Sequence, residues 1–482
     1  MLVTKKIDWA AYQFIAEAGR ATYFPMAYFI IHAYWRAARH TQWPLRIPVL
    51  GDFSKYSTRW HYAIRDPHVF DPYLMRFLMA PKEMRAFEQY IAAQRMHVRH
   101  LFPCDTCSTV SNHELVSDVE KFYSCFQDLI VAAGTLRYLD RALVPAVQHA
   151  YRLHKKRDAL VAIVSMGAQV SFALREEYAM LALAAGLQKR HDSITSSAAV
   201  SGIKKIWSTY RWSSCGYYNE QLKTIAVYTT ELRALLKQDS IRAFRAMRFR
   251  IRADQQKRRA ALRLLEPRDR SLGILAGQAT VAKDEYRFVA SELIGRAMPL
   301  FREIARRTGY SVDAVRDLLP KEVRALLLGK PYPSALVRAR RRAIVIYGGP
   351  GFFQVLLGRA ADTFARRHLH HGDRDATTWH GRAASPGHVR GTARVVLNVN
   401  DFHKVKRGDI LVCLNTSPEF MPVLRKVAGI IGEEGGITAH VSVVSRELGI
   451  PCVVAINGAT LHLKDGDWVD LDAARGIIKK VI

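Results

Sequence analysis

The stretch that decides the fold of the C-terminal part is Ala428-Gly-Ile-Ile-Gly-Glu-Glu-Gly-Gly-Ile-Thr-Ala-His-Val-Ser-Val-Val-Ser-Arg-Glu-Leu-Gly-Ile-Pro-Cys-Val-Val454. A short apolar run ends at Gly432, a double glycine follows, and an amphipathic run begins at Thr438. This order predicts a strand, a tight turn and a helix, with Thr438 as the N-cap and Gly449 just after the helix end. His440 lies in the first turn of the predicted helix.

The start of this predicted helix has the properties of a phosphate site. Its N–H groups and partial positive charge suit a phosphoryl group, and Gly435 and Gly436 let the backbone approach that group closely. The same field disfavours imidazolium, so we expect a neutral, nucleophilic His440 at a surface position. A histidine near a helix start is by itself more often an ordinary polar residue, so the hypothesis depends on its neighbours.

Those neighbours resemble the active segment of the PEP-utilising enzyme mobile domain, the swivelling phosphohistidine domain of phosphoenolpyruvate synthase, pyruvate phosphate dikinase and rifampicin phosphotransferase. The family pattern is Gly-Gly-x-Thr-Ser-His-Ala-Ala-Ile-Val-Ala-Arg-Glu-Leu-Gly-Ile-Pro-Ala-Val-Val. The chain matches it at Gly435, Gly436, Thr438, His440, Val444, Arg446, Glu447, Leu448, Gly449, Ile450, Pro451, Val453 and Val454. It differs at Ala439 and Val441, where the family usually has Ser and Ala, so one hydroxyl beside the histidine is missing.

The resemblance extends over residues 381–482. It includes an opening similar to Gly-x-x-x-Ser-Pro-Gly-x-x-x-Gly, a strand before Thr-x-Pro at Thr416 and Pro418, and the closing Asp465-Gly-Asp-Trp-Val-Asp-Leu-Asp. It implies that His440 is the phosphorylated, catalytic residue and that the domain swings between a donor site and an acceptor site. Gly435, Gly436 and Thr438 are the supporting residues, and Arg446 is assigned to packing before phosphate binding. Glu447 is interpreted as a surface charge.

The rest of the chain predicts an α plus α/β protein with a boundary near residue 375. Residues 1–375 are expected to be mainly helical, in one or two subdomains, and to bind an acceptor or a partner. Residues 376–482 are expected to form the swivelling β/β/α phosphohistidine domain, with strands near 392–397, 409–413, 429–431, 452–456, 468–471 and 477–481 and helices near 418–426 and 439–448. The segment Tyr347-Gly-Gly-Pro-Gly-Phe352 interrupts the helical pattern and is interpreted as a turn.

The charge and the cysteines narrow the class of protein. The net charge is +29, and residues from 376 onward carry only +3 of it. The arginine-rich stretch 242–270 is therefore expected to face solvent or a cleft between domains. Six scattered cysteines predict no disulfide framework and a reducing, cytoplasmic setting. Cys104 and Cys107 form the one CxxC, which is interpreted as two free thiols in preference to a zinc site, and no metal site is expected.

Three functions remain open at this point. The favoured one is a phosphotransferase component that carries a phosphoryl group on His440 between a nucleotide or PEP donor site and an acceptor. The others are a non-catalytic binding or regulatory protein that retains the swivelling domain, and binding of a polyanion or nucleic acid by the basic helices. No ATP-grasp or PEP-binding barrel is recognised. ATP or PEP as donor, Mg²⁺, and a separate ATP-grasp or other nucleotide-binding partner are implied by the resemblance alone; no membrane contact is expected.

Overall fold

The computed structural model describes residues 12–14, 49–54, 58–63, 81–102, 110–155, 157–167, 169–215, 222–349, 352–368, 376–397, 399–414, 416, 420–433, 439–456 and 458–481. Helices dominate the region from residue 81 to residue 342, as the sequence predicted. In chain order they are α1 (Pro81–Leu101), α2 (Asn112–Ala150), α3 (Arg157–Val164), α4 (Phe172–Arg190), α5 (Ser197–Tyr210), α6 (Ile225–Leu236), α7 (Ser240–Arg263), α8 (Pro267–Thr308), α9 (Val312–Arg316), α10 (Pro320–Leu327) and α11 (Ser334–Arg342).

The central element of this region is α8, which runs for 42 residues. Pro267 occupies its first turn, where a missing N–H group costs nothing, and Gly309 ends it with a φ of 73° that an L side chain rarely adopts. Leu293 and Ile304 of α8 are fully buried in one apolar cluster with residues of α2. The sequence predicted this helix from residue 285 onward and its stop at Gly309, but α8 begins at Pro267.

The arginine-rich stretch 242–270 lies on α7 and on the start of α8. The side chain of Asp239 caps α7 by accepting a hydrogen bond from the Arg242 backbone N–H at 2.9 Å. The arginines at three- and four-residue spacing are exposed, as predicted: Arg242, Arg245, Arg248 and Arg252. Arg258 differs, because its Nε donates to the Val164 carbonyl at 3.2 Å and burial lowers its pKa.

A five-stranded antiparallel sheet also belongs to the N-terminal region, and the sequence did not predict it. Its strands are β1 (Tyr12–Phe14), β2 (Val49–Ser54), β3 (Thr58–Ala63), β4 (Ala343–Gly349) and β5 (Phe352–Leu357), in the order β1-β3-β2-β4-β5. The segment interpreted as a turn inside a helical pattern joins β4 to β5, and its residues 350 and 351 lie outside the described ones. Gly51 and Asp52 within β2 belong to residue types depleted in strands, which hid the pattern.

The C-terminal part contains an eight-stranded mixed sheet. Its strands are β6 (Thr378–His380), β7 (Arg382–Ser385), β8 (His388–Val396), β9 (Ile410–Cys413), β10 (Gly429–Gly432), β11 (Cys452–Val454), β12 (Trp468–Asp472) and β13 (Ile477–Val481). The order is β6-β13-β12-β8-β9-β10-β11-β7, in which β8, β9, β10 and β11 pair in parallel. All six strands predicted for this region are confirmed, and the short edge strands β6 and β7 were missed.

The parallel centre of this sheet is buried on both faces. Every residue of β9 and β10 is buried, with Leu411 and Ile430 in one apolar cluster and Val412 and Ile431 in the other. Continuous apolar runs are typical of parallel strands covered on two sides. Gly429 pairs with Ile410 in this alignment, and a Cβ added at Gly429 would lie 2.7 Å from a methyl group of Leu471 and 2.9 Å from one of Val389.

The remaining helices are α12 (Arg359–His368), α13 (Met421–Leu424), α14 (His440–Leu448) and α15 (Ala459–His462), with a 3₁₀ helix at Val399–Lys404. The predicted helix 418–426 is reduced to α13 among the described residues. Helix α14 ends as predicted at Gly449, which has a φ of 68°. Its N–H donates to the Arg446 carbonyl at 3.2 Å, and the next N–H donates to the Ser445 carbonyl at 2.8 Å, the paired bonds of a Schellman motif.

Two further expectations concern the chain as a whole. Over the part of the chain that the structure describes, no helix is both long and apolar enough to cross a bilayer. Cys125, Cys215, Cys413 and Cys452 are buried free thiols. Cys104, Cys107 and the domain boundary near residue 375 lie outside the described residues, so those expectations stay predictions.

Gly295 of α8 offers a test of how closely the helical region is packed. A Cβ added there would lie 2.5 Å from the Trp212 ring, which is fully buried. We expect Gly295→Ala to lower the free energy of unfolding by about 1–3 kcal/mol, because the ring cannot move without disturbing its neighbours. Urea denaturation followed by circular dichroism measures the change.

The matched control is Gly186→Ala in α4. A Cβ at Gly186 would meet only the guanidinium end of Arg190, at 3.6 Å, so helix propensity dominates there. We expect Gly186→Ala to raise the free energy of unfolding by up to about 1 kcal/mol. Equal effects of the two substitutions would contradict the packing described around Trp212.

Candidate functional site

His440 is the first residue of α14, and the residue before it starts the helix. Ala439 has an extended backbone (φ −65°, ψ 154°), and its carbonyl accepts from the Val443 N–H at 2.9 Å. The prediction of Thr438 as the N-cap is therefore wrong, because the backbone turns helical only after Ala439. Thr438, Gly435 and Gly436 themselves lie outside the described residues. Ala439 supplies no side-chain oxygen for the helix N–H groups, so α14 begins without a side-chain cap.

The His440 side chain is buried rather than exposed, with 6% of its surface accessible. Its Nδ1 lies 2.9 Å from the Oγ1 of Thr416, which is itself 3% exposed, and its Nε2 is also buried. The prediction of a surface position is wrong because the start of α14 lies against the loop that leaves β9. A hydrogen bond to one ring nitrogen fixes the orientation of the imidazole, while the Thr416 hydroxyl can act as its donor or its acceptor.

Thr416 is the site residue that sequence reasoning did not assign. It follows β9, and α14 follows β10, which pairs with β9 in parallel. The carboxyl ends of parallel strands meet at one edge of a sheet, where α/β proteins place their ligands. That rule, applied to the two predicted strands, was the signal that could have brought Thr416 to His440.

Arg446 is not brought to the histidine. It lies in the last turn of α14, about 9 Å along the axis from His440. Its Nη1 donates to the Ala384 carbonyl in β7 at 3.2 Å, and burial lowers the pKa of its guanidinium to about 10. This placement agrees with the assignment to packing.

The site lies at the seam between the C-terminal domain and the helical region. Arg287 of α8 donates from Nη1 to the Thr416 carbonyl at 3.3 Å. Glu447 accepts from the Ser171 backbone N–H at 2.9 Å and from its hydroxyl at 2.5 Å. Arg425 pairs with Glu177 at 2.7 Å. The interpretation of Glu447 as a surface charge is therefore wrong, because it links α14 to the N-terminus of α4.

A second carboxyl group stands beside Glu447 at that N-terminus. Asp284 of α8 accepts from the Phe172 backbone N–H, and Arg175 approaches it at 3.7 Å. Burial and, to a smaller extent, the Glu447 charge together raise the pKa of Asp284 to about 7, although the Phe172 N–H opposes the shift. Burial also raises the pKa of Glu447, although Ser171 opposes the shift. Two carboxyl groups from two domains thus share the first N–H groups of one helix.

No group of three or more His, Cys, Asp or Glu side chains that could hold a metal ion occurs among the described residues. No step is therefore assigned to a metal held by the described residues around His440.

Comparison with known proteins assigns the C-terminal part. Residues 405–476 match the family "PEP-utilising enzyme, mobile domain". Over 102 residues the chain is 46% identical to the phosphoenolpyruvate synthase of Pyrococcus furiosus, and over 98 residues it is 43% identical to the probable phosphoenolpyruvate synthase of Methanothermobacter thermautotrophicus. These matches cover 21% and 20% of this chain but only 12% and 14% of the relatives. A chondramide synthase from Chondromyces crocatus is 38% identical over 98 residues, which are 20% of this chain and 2% of that protein. The resemblance seen in the sequence is confirmed for this domain.

The uncapped start of α14 leads to a stability prediction. We expect Ala439→Ser, which restores the hydroxyl usual in the family, to raise the free energy of unfolding of the C-terminal domain by about 1 kcal/mol by capping the Ser442 N–H. Ser196→Ala removes such a cap from α5, where the Ser196 hydroxyl accepts from the Ala199 N–H at 3.2 Å, and should lower the free energy of unfolding by a similar amount. Thermal denaturation of both variants checks the pair, and a loss of stability in Ala439→Ser would contradict the observed helix start.

The carboxyl pair at the seam leads to a prediction about pH. Asp284 and Glu447 are buried together where the domains meet, and both have a raised pKa there, so docking takes up protons and weakens as pH rises from the ordinary carboxyl range to about 7. We expect energy transfer between a dye on each domain to fall between about pH 4 and pH 7 and to stay constant above that range. Asp284→Asn should flatten this change, whereas Asp254→Asn on α7 should leave it as in the unmodified chain. An unaltered pH profile in Asp284→Asn would refute the assignment.

Proposed function

We propose, from a C-terminal domain that matches the PEP-utilising mobile domain, that the protein is a phosphotransferase component that carries a phosphoryl group on His440. The observation that supports this most directly is the setting of His440 at the start of α14, with Nδ1 held by Thr416 at 2.9 Å. A helix N-terminus favours an arriving anion, and a held imidazole presents one nitrogen in a set direction.

The Thr416 hydroxyl can donate to or accept from Nδ1, and we propose the tautomer in which Nδ1–H is the donor. With Nδ1–H donating to the Thr416 hydroxyl, the lone pair of Nε2 attacks the phosphorus of the donor, and the bridging P–O bond breaks with its electron pair on the leaving oxygen. In the second half, a hydroxyl oxygen of the acceptor attacks the same phosphorus and gives its proton to water. The P–N bond then breaks and its electron pair returns to Nε2, which restores neutral His440.

The burial of His440 implies that the domain moves. With 6% of its surface accessible, the docked histidine is closed to a nucleotide-sized donor. We propose that the donor half of the cycle uses an undocked arrangement, and that the acceptor half uses the docked one, with the acceptor bound by residues 1–375. The polar seam suits repeated separation, since contacts of this kind resemble transient interfaces.

The donor belongs to another site. We propose ATP or PEP as the donor, held with any Mg²⁺ by a separate ATP-grasp or other nucleotide-binding protein. No ATP-grasp pattern is recognised in the sequence. We place the reaction in the cytoplasm, where the free thiols of the four described cysteines would persist.

The decisive variant is His440→Gln, which removes the nucleophilic nitrogen while keeping a polar side chain of similar length. The chain is incubated with cell extract and either PEP or ATP labelled at the β- and γ-phosphates, and acid-labile phosphate on it is counted. We expect labelling of the unmodified chain and a loss of at least about 100-fold in the variant.

The matched control is His403→Gln, because His403 is exposed in the same domain. It should be labelled like the unmodified chain, and circular dichroism should show both variants folded. Acid-labile phosphate that persists in His440→Gln, or that maps to His388 or His462 by mass spectrometry, would refute the proposal.

A further inference from the structure

The helical region places one guanidinium at the proposed phosphate carrier. Arg287 lies on α8, and its Nη1 donates to the backbone carbonyl of Thr416 at 3.3 Å. Thr416 is also the residue whose hydroxyl contacts His440 Nδ1 at 2.9 Å. A single residue of the C-terminal domain therefore separates the guanidinium of one domain from the imidazole of the other.

Among the described residues, Arg287 differs from other arginines of α8 in that no carboxylate neutralises its charge. Arg296 pairs with Glu292 at 3.0 Å, and Arg307 pairs with Glu303 at 2.7 Å, both on α8. Among the described residues no carboxylate forms an ion pair with Arg287, although the side chain is only partly exposed. A partly buried guanidinium bonded to one neutral carbonyl retains most of its five N–H donors for an anion.

The backbone that carries Arg287 is held rigidly. The next residue, Phe288, is 3% exposed and stacks on Phe172 with ring centroids 4.2 Å apart. The guanidinium carbon of Arg95 lies 4.4 Å from the centroid of the same Phe288 ring. Packing on both sides of Phe288 sets the direction in which Arg287 leaves α8, which is the preorganisation that an electrostatic catalyst requires.

We propose that Arg287 is a further catalytic residue, which binds the phosphoryl group on His440 when the domains are docked; this inference rests on the proposed function. The guanidinium donates N–H bonds to two phosphoryl oxygens while the P–N bond breaks and its electron pair returns to Nε2. The C-terminal domain thus carries the phosphate, and the helical region supplies the positive charge for its release. Phosphorylation should in turn strengthen docking, because Arg287 then has an anion to bind.

The test uses the full-length chain and phosphoramidate, a small reagent that phosphorylates histidine without an enzyme. The label on His440 is confirmed by mass spectrometry, and the ³¹P resonance of the phosphohistidine is titrated with pH. A bound guanidinium favours the dianion, so its removal raises the titration midpoint. We expect Arg287→Gln to raise that midpoint by about one pH unit relative to the unmodified chain.

Two further variants serve as comparisons for this result. Arg287→Lys keeps the charge without the planar fork and should give an intermediate midpoint, which a purely structural role would not produce. Arg268→Gln, at an exposed arginine near the start of the same helix, should titrate like the unmodified chain. Energy transfer between the domains should rise on phosphorylation in the unmodified chain and in Arg268→Gln, and stay constant in Arg287→Gln.

The outcomes separate this inference from the proposed function. If His440 is labelled and both Arg287 variants titrate like the unmodified chain, Arg287 does not bind the phosphoryl group and only this inference fails. If neither phosphoramidate nor the labelled donors place phosphate on His440, the proposed function fails and this inference falls with it. If Arg287→Gln does not fold by circular dichroism, the Arg287→Lys midpoint decides the result.

Discussion

The parallel pairing of β9 with β10 is the constraint on which the site depends. The two strands are wholly buried, so they are held by apolar contact on both faces as well as by their backbone bonds. Their carboxyl ends meet at one edge, where one strand continues to Thr416 and the other leads toward His440. Two residues 24 positions apart in the chain are thereby brought within 2.9 Å. Without that edge of the sheet, the two side chains would not lie within hydrogen-bond distance of each other.

The seam between the two regions is held by polar contacts, whereas β9 and β10 are held by apolar burial. The backbone N–H groups at the N-terminus of α4 bind the carboxyl groups of Asp284 and Glu447. Because these two like charges are buried close together, protonation of at least one of the two carboxyl groups is favoured. The other main link, Arg425 with Glu177, is half exposed and contributes about 1 kcal/mol or less. The contacts are therefore specific in geometry but weak in energy. An interface of this kind guides docking without preventing separation.

Sequence reasoning was most successful where one principle dominated. Short Val- and Ile-rich runs located six strands of the C-terminal sheet, and Gly449 marked the end of α14 because few residues adopt its left-handed φ. Sequence reasoning failed where contacts between distant parts of the chain determine the structure. The burial of His440, the shift of the N-cap to Ala439 and the role of Glu447 all result from α14 lying between its own sheet and the helical region, and no local pattern records a neighbouring domain. The five-stranded sheet was missed because its strands are far apart in the chain and carry glycine and aspartate.

The missing side chain at Gly429 has a consequence for how β9 and β10 align. Strands that alternate apolar and polar residues resist slippage, because a slip of one residue would turn the polar side chains inward. Strands that are apolar throughout lack that safeguard, and several alignments of β9 on β10 would bury equal amounts of hydrocarbon. A Cβ at position 429 would lie within 3 Å of Leu471 and Val389, so a slip that moved Ile430 to this place would collide with both. The absence of one methyl group therefore selects a single alignment from otherwise equivalent ones, and with it the meeting of Thr416 and His440.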